Sequence, residues 1–141
     1  MTFHASNGFD LAQISPFVLD KIPMGITVID LEGRILYFNE YSSQIRDRKP
    51  EYLGRDIRLC HKEPESIARI DRILEEFKSG RRQEVCYDST LAGEVFAVTI
   101  SPLVVKDRLI GCIQSLIKKE AWVQSYTAKA VRGCGSLGQM G

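Results

Sequence analysis

Residues 25–39 of this 141-residue chain read GITVIDLEGRILYFN. Two β-rich segments, residues 25–30 and 34–39, are separated by a short turn that ends at Gly33, where glycine supplies the positive φ of a tight turn. Bulky residues occupy both alternating faces of each segment. The stretch therefore predicts a β-hairpin that is covered on both sides.

The residues that follow the hairpin predict helices. Residues 40–59 break into short helical turns, because Pro50 and Gly54 interrupt any longer one. A longer helix is expected to begin near Pro64 and to end at Gly80, which suits a left-handed cap. Its apolar residues repeat at helical spacing and are Ile67, Ile70, Ile73, Leu74 and Phe77. This helix has one apolar stripe that needs a surface to cover.

Three more strands are predicted, over residues 82–89, 95–105 and 109–117. The order of two strands, several helices and three strands predicts an α+β fold, in which helices cover one face of a five-stranded antiparallel sheet. Ser15 and Pro16 are expected to start an additional N-terminal helix, since serine is a favourable N-cap and proline suits the first helical position. Pro23 is expected to end it.

Length and composition are those of one globular domain, with 44% hydrophobic and 26% charged residues. We expect a flexible N-terminus over residues 1–14, the folded domain over residues 15–118, and a C-terminal helix or linker with a Gly-rich tail over residues 119–141. No internal repeat divides the chain further.

The charge pattern excludes some classes of partner. The formal net charge is +1 and no basic stripe occurs, so direct nucleic-acid binding is not expected. No stretch has the length of a membrane span and the N-terminus lacks a leader pattern, so we expect a cytoplasmic protein without a membrane partner. In that compartment the four cysteines are expected to be reduced.

Four segments of the chain share their order and spacing with one known family. They are LDKIPMGITVIDLEGRILYFNE (residues 19–40), YLGRDIRLC (52–60), FAVTISPLVV (96–105) and LIGCIQSLI (109–117). Together they resemble the first hairpin, the entry to the middle helices and the last two strands of a PAS domain. The resemblance covers about residues 17–118 and implies the PAS fold, with the N-terminal helix flanking the other face of the sheet.

The resemblance also implies a cup between the sheet and the helices, in which some PAS domains hold haem, flavin or a small metabolite. The expected ligand-binding residues are Asn39, Arg58, Cys60, His61, Ile70, Ile73, Phe77, Val98, Ile100 and Ile113. A surface ion pair is the competing interpretation for Arg58, and capping of neighbouring backbone is the competing one for Asn39. A shift of one position along a strand would exchange its two faces.

The segment GRDIRLCH, residues 54–61, bears on the cofactor. It is similar in frame to the flavin-binding LOV subgroup of PAS, but the photoreactive cysteine falls on Ile57, which argues against blue-light photochemistry and weakens flavin binding. Adjacent Cys60 and His61 resemble a pair in PAS domains of small bacterial sensors, and either could be an axial haem ligand. Alternatively, Cys60 packs in the core and His61 flanks the helix. The cofactor stays open, and His61 is a metal ligand only if haem binds.

The last predicted strand carries apolar residues on both faces, and exposed apolar surface usually binds a partner. In PAS domains the helix before the first strand covers this face and often builds a homodimer. The interface implied by the resemblance contains Phe17, Val18, Ile22, Cys112 and Gln114. Residues 115–117 depart from the Asp-Ile-Thr of PAS domains that relay to a following helix, so a stand-alone sensor and a fragment of a larger regulator both fit.

No nucleophile elbow, zinc-peptidase motif or phosphate-binding loop occurs, and we expect no enzymatic activity. The leading hypothesis is a sensor that binds a small ligand, a protein partner or both, and transmits a conformational change in signal transduction or transcription regulation. An effector domain or a separate protein would receive the signal. Two alternatives stay open: a haem-binding redox or gas sensor, and a dimerisation or interaction module without a ligand.

Overall fold

The computed structural model describes residues 6–46, 48–119 and 135–136. The helices are α1 (Leu11–Lys21), α2 (Glu40–Ile45) and α3 (Pro64–Lys78), and two 3-10 turns span Pro50–Tyr52 and Ile57–Cys60. The strands are β1 (Gly25–Asp30), β2 (Ile35–Phe38), β3 (Val85–Leu91), β4 (Glu94–Val105), β5 (Arg108–Lys118) and β6 (Gly135–Ser136).

Five antiparallel strands form the sheet in the order β2-β1-β5-β4-β3, which confirms the predicted α+β architecture. The first turn has the predicted conformation, with φ of 88° at Gly33. Lys106 and Asp107, with φ of 51° and 64°, form the two-residue turn between β4 and β5 that matches the twist of the strands. The two residues of β6 add a short parallel pairing at the β3 edge, which the sequence did not predict.

The core lies between α3 and the inner face of the sheet. Ile73, Leu74 and Phe77 are buried on the apolar stripe of α3, as its helical spacing predicts. On the sheet, Val98 and Leu116 are almost completely buried because they lie on the inward-facing set of β4 and β5.

Helix α1 begins earlier than predicted, at Leu11 with Asp10 as N-cap, so residues 11–14 are not part of a flexible terminus. Pro16 lies inside the helix. The N–H that proline lacks would have bonded the carbonyl of Ala12, and the Ser15 hydroxyl donates to that carbonyl instead (3.2 Å). Because the Ser15 hydroxyl takes the place of the missing backbone donor, Pro16 is accommodated inside the helix, and Ser15-Pro16 is not the helix start.

Few contacts hold α1, since none of its residues is buried. The Asn39 side chain donates to the carbonyl of Leu19 (2.8 Å), and the backbone N–H of Glu40 donates to Asp20 (2.9 Å). Both bonds connect α1 to the start of α2. Among the described residues, no helix is long and apolar enough to cross a membrane.

The C-terminal helix expected within residues 119–141 falls outside the described residues, apart from Lys119 and residues 135–136. The backbone N–H of Lys119 donates to Val95 and continues the pairing of β4 with β5 (2.9 Å). Cys86 on β3 is disulfide-bonded, so the expectation of reduced thiols is wrong there. Cys60 and Cys112 carry thiols.

Candidate ligand-binding site

A cavity of about 50 Å³ lies between α3 and the inner face of the sheet. One part of its wall is apolar and consists of Ile29, Ile57, Ile70, Ile73, Leu74, Ile100 and Cys112. The other part is polar and consists of Arg46, His61, Ser66, Arg69, Tyr87, Ser89 and Gln114. The cavity therefore offers both hydrocarbon contacts and hydrogen-bonding groups.

Secondary structure explains which residues reach the cavity. Ile70 and Ile73 are three apart on α3 and share one face of the helix. Tyr87 and Ser89 are two apart on β3, as are Cys112 and Gln114 on β5, so each pair points to one face of the sheet. The second 3-10 turn contributes Ile57, and the chain leaves that turn at His61.

Three polar side chains at the cavity have buried nitrogen atoms without a hydrogen-bond partner. They are Nε of Arg46, Nε of Arg69 and Nε2 of His61. Arg46 follows the last residue of α2, and Arg69 lies on α3 with its guanidinium 4.3 Å from the centre of the Tyr87 ring. Arg69 is thus held by a cation–π contact.

Electrostatics at these groups follow from burial and from like charges. Desolvation lowers the pKa of Arg46, and nearby Arg69 lowers it further, against an opposite effect of Tyr87. Desolvation also lowers the pKa of His61 to about 4, with contributions from the charges of Arg46, Arg48 and Arg69. At neutral pH the His61 imidazole is therefore uncharged.

Behind the polar wall, Arg48 is only 5% exposed. Its Nε donates to the Thr27 hydroxyl (3.3 Å) and its Nη2 donates to the Gln114 side-chain oxygen (3.4 Å). These bonds fix the Gln114 amide at the cavity wall. Cys112 is also fixed there as a neutral thiol, because burial raises its pKa to about 12.

The structure brings four of the ten expected ligand-binding residues to the cavity: His61, Ile70, Ile73 and Ile100. Phe77 and Val98 are buried in the core beside the cavity and do not line it; Phe77 lies one turn after Ile73 on α3, and Val98 precedes Ile100 on β4. Cys60 packs against the core, as the competing interpretation held.

Arg58 and Asn39 have structural contacts and do not line the cavity. Arg58 forms ion pairs with Asp56 (2.9 Å) and Asp71 (2.7 Å). Asn39 is fully buried and caps α2 by accepting from the backbone N–H of Ser42 (3.0 Å). Asn39 is therefore a capping residue and Arg58 forms ion pairs, as the competing interpretations held.

The face assignment of β5 was wrong by one position. Cys112 and Gln114, expected at a dimer interface, are buried and line the cavity. Ile113, expected in the cavity, does not line it, since side chains alternate along a strand. Phe17 and Val18 are exposed on α1, and Ile22 follows as its C-cap, half-buried.

Sequence reasoning missed Arg46, Arg69 and Tyr87. One signal was available for Arg69, because it lies one turn before Ile73, on the stripe that helical spacing assigns to the core. A charged residue on that stripe marks an unusual environment. Arg46 had no such signal, since its position depends on how the chain leaves α2.

Metal ligation has little support in the geometry. No group of three or more histidine, cysteine, aspartate or glutamate side chains in the described part of the chain could hold a metal ion. Two side chains of the cavity wall are of metal-ligating type, His61 with its buried Nε2 and the Cys112 thiol.

The family model of the PAS domain matches residues 17–114. The chain is also similar to three solved structures. The first is the C-terminal domain of a protein from Streptococcus mutans, with 18% identity, coverage of 90% of this chain and 96% of that chain, and a TM-score of 0.68. The second is the PAS domain of BvgS from Bordetella pertussis, with 20% identity, coverage of 88% of this chain and 98% of that chain, and a TM-score of 0.63. The third is the PAS domain of the quorum-sensing receptor RpfR from Cronobacter turicensis in complex with BDSF, with 20% identity, coverage of 71% of this chain and 97% of that chain, and a TM-score of 0.53. At these identities the likeness shows the fold. No curated protein matches the sequence significantly.

Proposed function

Because the chain belongs to the PAS domain family, we propose that it is a sensor that binds a small molecule in the cavity between α3 and the sheet. Binding changes the conformation or stability of the domain, and a protein partner or an effector domain reads that change in signal transduction or transcription regulation. The domain itself catalyses no reaction. PAS domains are sensor modules in histidine kinases and receptors.

One observation carries the proposal: three buried, unpartnered nitrogen atoms surround one cavity. More than about 90% of buried polar groups in folded proteins have a hydrogen-bond partner. A cluster of exceptions at a cavity is therefore unusual, and it is the arrangement that a polar ligand would complete. The PAS domain of RpfR, which binds BDSF, supports ligand binding by this fold.

Neither haem nor flavin fits the cavity as it stands. Its volume is about 50 Å³, whereas pockets for larger ligands measure roughly 300–1,000 Å³. Either cofactor would have to separate α3 from the sheet, at the cost of the buried contacts of Ile73 and Leu74. The proposed ligand is for this reason a smaller molecule.

The test is mass spectrometry of the native protein, followed by identification of the released molecule. We expect a small molecule to copurify with the natural sequence and to be lost from Ile100→Phe, whose ring would fill the cavity. Val104→Phe is the matched control, since Val104 is exposed on the same strand. If the natural sequence is folded but no molecule copurifies with it, and its mass spectrum matches that of Ile100→Phe apart from the substitution, the result would favour the interaction module without a ligand.

We also propose that the exposed apolar surface of α1 forms a homodimer. Phe17 is 72% exposed and Val18 is 44% exposed, and both line an open apolar groove with Ile14, Ile22 and Pro23. A second copy of α1 would cover this surface. We expect sedimentation equilibrium to show a dimer that Phe17→Glu dissociates and Leu59→Glu, at an exposed apolar site elsewhere, does not. A monomer at all concentrations refutes this part.

A further inference from the structure

The cavity carries positive charge that the surrounding residues do not neutralise. Arg46 and Arg69 both line it, and neither guanidinium makes a hydrogen bond or an ion pair with any described residue. None of the described residues that line the cavity is acidic. Two half-buried cations thus face one small space.

Other arginines of the chain show that this arrangement is unusual here. Arg34, Arg58 and Arg81 each have a carboxylate partner at 2.9 Å or less. Arg82 donates to the backbone carbonyl of Phe77 (2.9 Å). With 18 acidic residues in the sequence, carboxylates are abundant, yet none of those in the described part of the chain lines the cavity.

An anion between Arg46 and Arg69 would remove two unfavourable effects together. The first is burial of a charged group without a partner, which costs free energy. The second is repulsion between like charges, which is stronger inside a protein than in water. Arginine does not escape either effect by losing its proton at neutral pH, because guanidinium is too weak an acid.

We propose that the ligand of the cavity is a small organic carboxylate, with its two oxygen atoms between Arg46 and Arg69 and its hydrocarbon part against Ile29, Ile73 and Ile100. This inference rests on the proposed function and names the chemical class that the site binds. The Arg69 guanidinium, which lies 4.3 Å from the centre of the Tyr87 ring, has N–H groups that can donate to the carboxylate. Neutral His61 adds one further hydrogen-bonding atom, Nε2.

The size of the cavity limits the length of the acid, and its polarity favours a short acid over a phosphate. The cavity of about 50 Å³ is several times the roughly 10–15 Å³ that one water molecule requires, so only a few non-hydrogen atoms fit. The apolar wall leaves the far end of the ligand without hydrogen-bond donors. A phosphate has acceptor oxygen atoms on all sides, whereas propionate or butyrate has them at one end only.

Isothermal titration calorimetry of the full chain with propionate, butyrate, propionamide and inorganic phosphate tests the inference. A ligand of about five heavy atoms binds no more tightly than micromolar order, so titration to about 10 mM is appropriate. We expect saturable binding of propionate or butyrate, and weakening by about tenfold or more in Arg46→Met and in Arg69→Met. Arg72→Met, an exposed arginine on the same helix, should change the affinity less than twofold.

Thermal unfolding of the ligand-free variants provides a second measurement. If Arg46 is retained for an anion, Arg46→Met should unfold at the same or a higher temperature than the natural sequence, because it removes a charge without a partner. A lower unfolding temperature for Arg46→Met, together with unchanged propionate affinity in Arg46→Met and Arg69→Met, would show structural roles and overturn the inference.

The remaining outcomes are equally decisive. Propionamide that binds as tightly as propionate, or phosphate that binds more tightly, contradicts the carboxylate assignment but leaves a ligand-binding cavity in place. Absence of saturable binding by either acid to about 10 mM also overturns it. The proposed function fails separately, on the mass-spectrometric comparison of the natural sequence with Ile100→Phe.

Discussion

Replacement of Asn39 by alanine should remove a large part of the folding free energy. The Asn39 side chain is fully buried and makes four hydrogen bonds to backbone groups. Its oxygen accepts from the N–H groups of Ile26 (2.9 Å) and Ser42 (3.0 Å), and its nitrogen donates to the carbonyls of Leu19 (2.8 Å) and Met24 (2.9 Å). At about 1 kcal/mol of net stability per bond, the loss is about 4 kcal/mol.

Urea unfolding measures this loss directly. With a slope of about 2 kcal/mol per M, the midpoint should fall by about 2 M, a large effect for a domain whose total stability is roughly 5–15 kcal/mol. Ser43→Ala is the control, because its hydroxyl makes a single exposed bond to the carbonyl of Glu40. A midpoint within about 0.5 M of the natural value at unchanged slope would refute the reasoning, since water would then replace all four bonds.

Asn39→Asp separates the two halves of this network. Aspartate can accept the same two hydrogen bonds, but its carboxylate would face the carbonyl oxygens of Leu19 and Met24 without a donor. We expect strong destabilisation at pH 7 that is partly relieved on acidification, because a protonated carboxyl can donate to one carbonyl. The same stability at pH 7 as the natural sequence would show that the donor bonds contribute nothing.

Three further substitutions test separate parts of the structure. The pKa of His61 is lowered from 6.5 to about 4, so the unfolded chain takes up a proton below about pH 6.5 that the folded protein takes up only below about pH 4. The free energy of unfolding should therefore fall by about 1–2 kcal/mol, with screening by solvent included, as the pH decreases from about 6.5 to about 4. In urea unfolding at several pH values, His61→Gln should reduce this dependence on pH. A Cβ at Gly111 would overlap the carbonyl oxygen of Ile29, so Gly111→Ala should lose about 2 kcal/mol or more by thermal unfolding, and an unchanged midpoint would contradict the strand spacing. Arg58→Met removes two partly exposed ion pairs, and it should lower the free energy of unfolding in urea by about 1 kcal/mol without changing the affinity for propionate. Weaker binding of propionate would show that Arg58 contributes to the ligand-binding site.

Local patterns were sufficient to predict most of the fold. β1 and α3 have their predicted extents because alternation and helical spacing are properties of adjacent residues. One prediction, the start of α1, failed where a local signal was overruled, and one strand, β6, was not predicted. Ser15-Pro16 resembles a helix start, but a hydroxyl bond to Ala12 permits proline inside α1. β6 pairs residues far apart in the chain, and periodicity contains no information about such a pairing.

The site was less predictable than the fold, for a physical reason. Ile70, Ile73 and His61 were placed correctly at the cavity, since they flank or lie on the longest amphipathic helix. Assignment of Cys112 and Gln114 required the phase of β5, and an error of one residue moved both to the wrong face. Arg46 could not be found at all, because its importance depends on the partners that it lacks after folding.

The two ends of α2 show why that lack of partners is specific. At the N-terminal end, all four hydrogen bonds of Asn39 are satisfied at distances of 2.8 to 3.0 Å. At the C-terminal end, seven residues later, the backbone N–H of Arg46 donates to the carbonyl of Ser42 (2.9 Å), while its side-chain Nε has no partner. Poor packing would leave defects at both ends of so short a helix. The fold thus satisfies one end of α2 completely and leaves an unpartnered side-chain nitrogen at the cavity at the other end, which is the arrangement expected if Arg46 serves the proposed ligand binding.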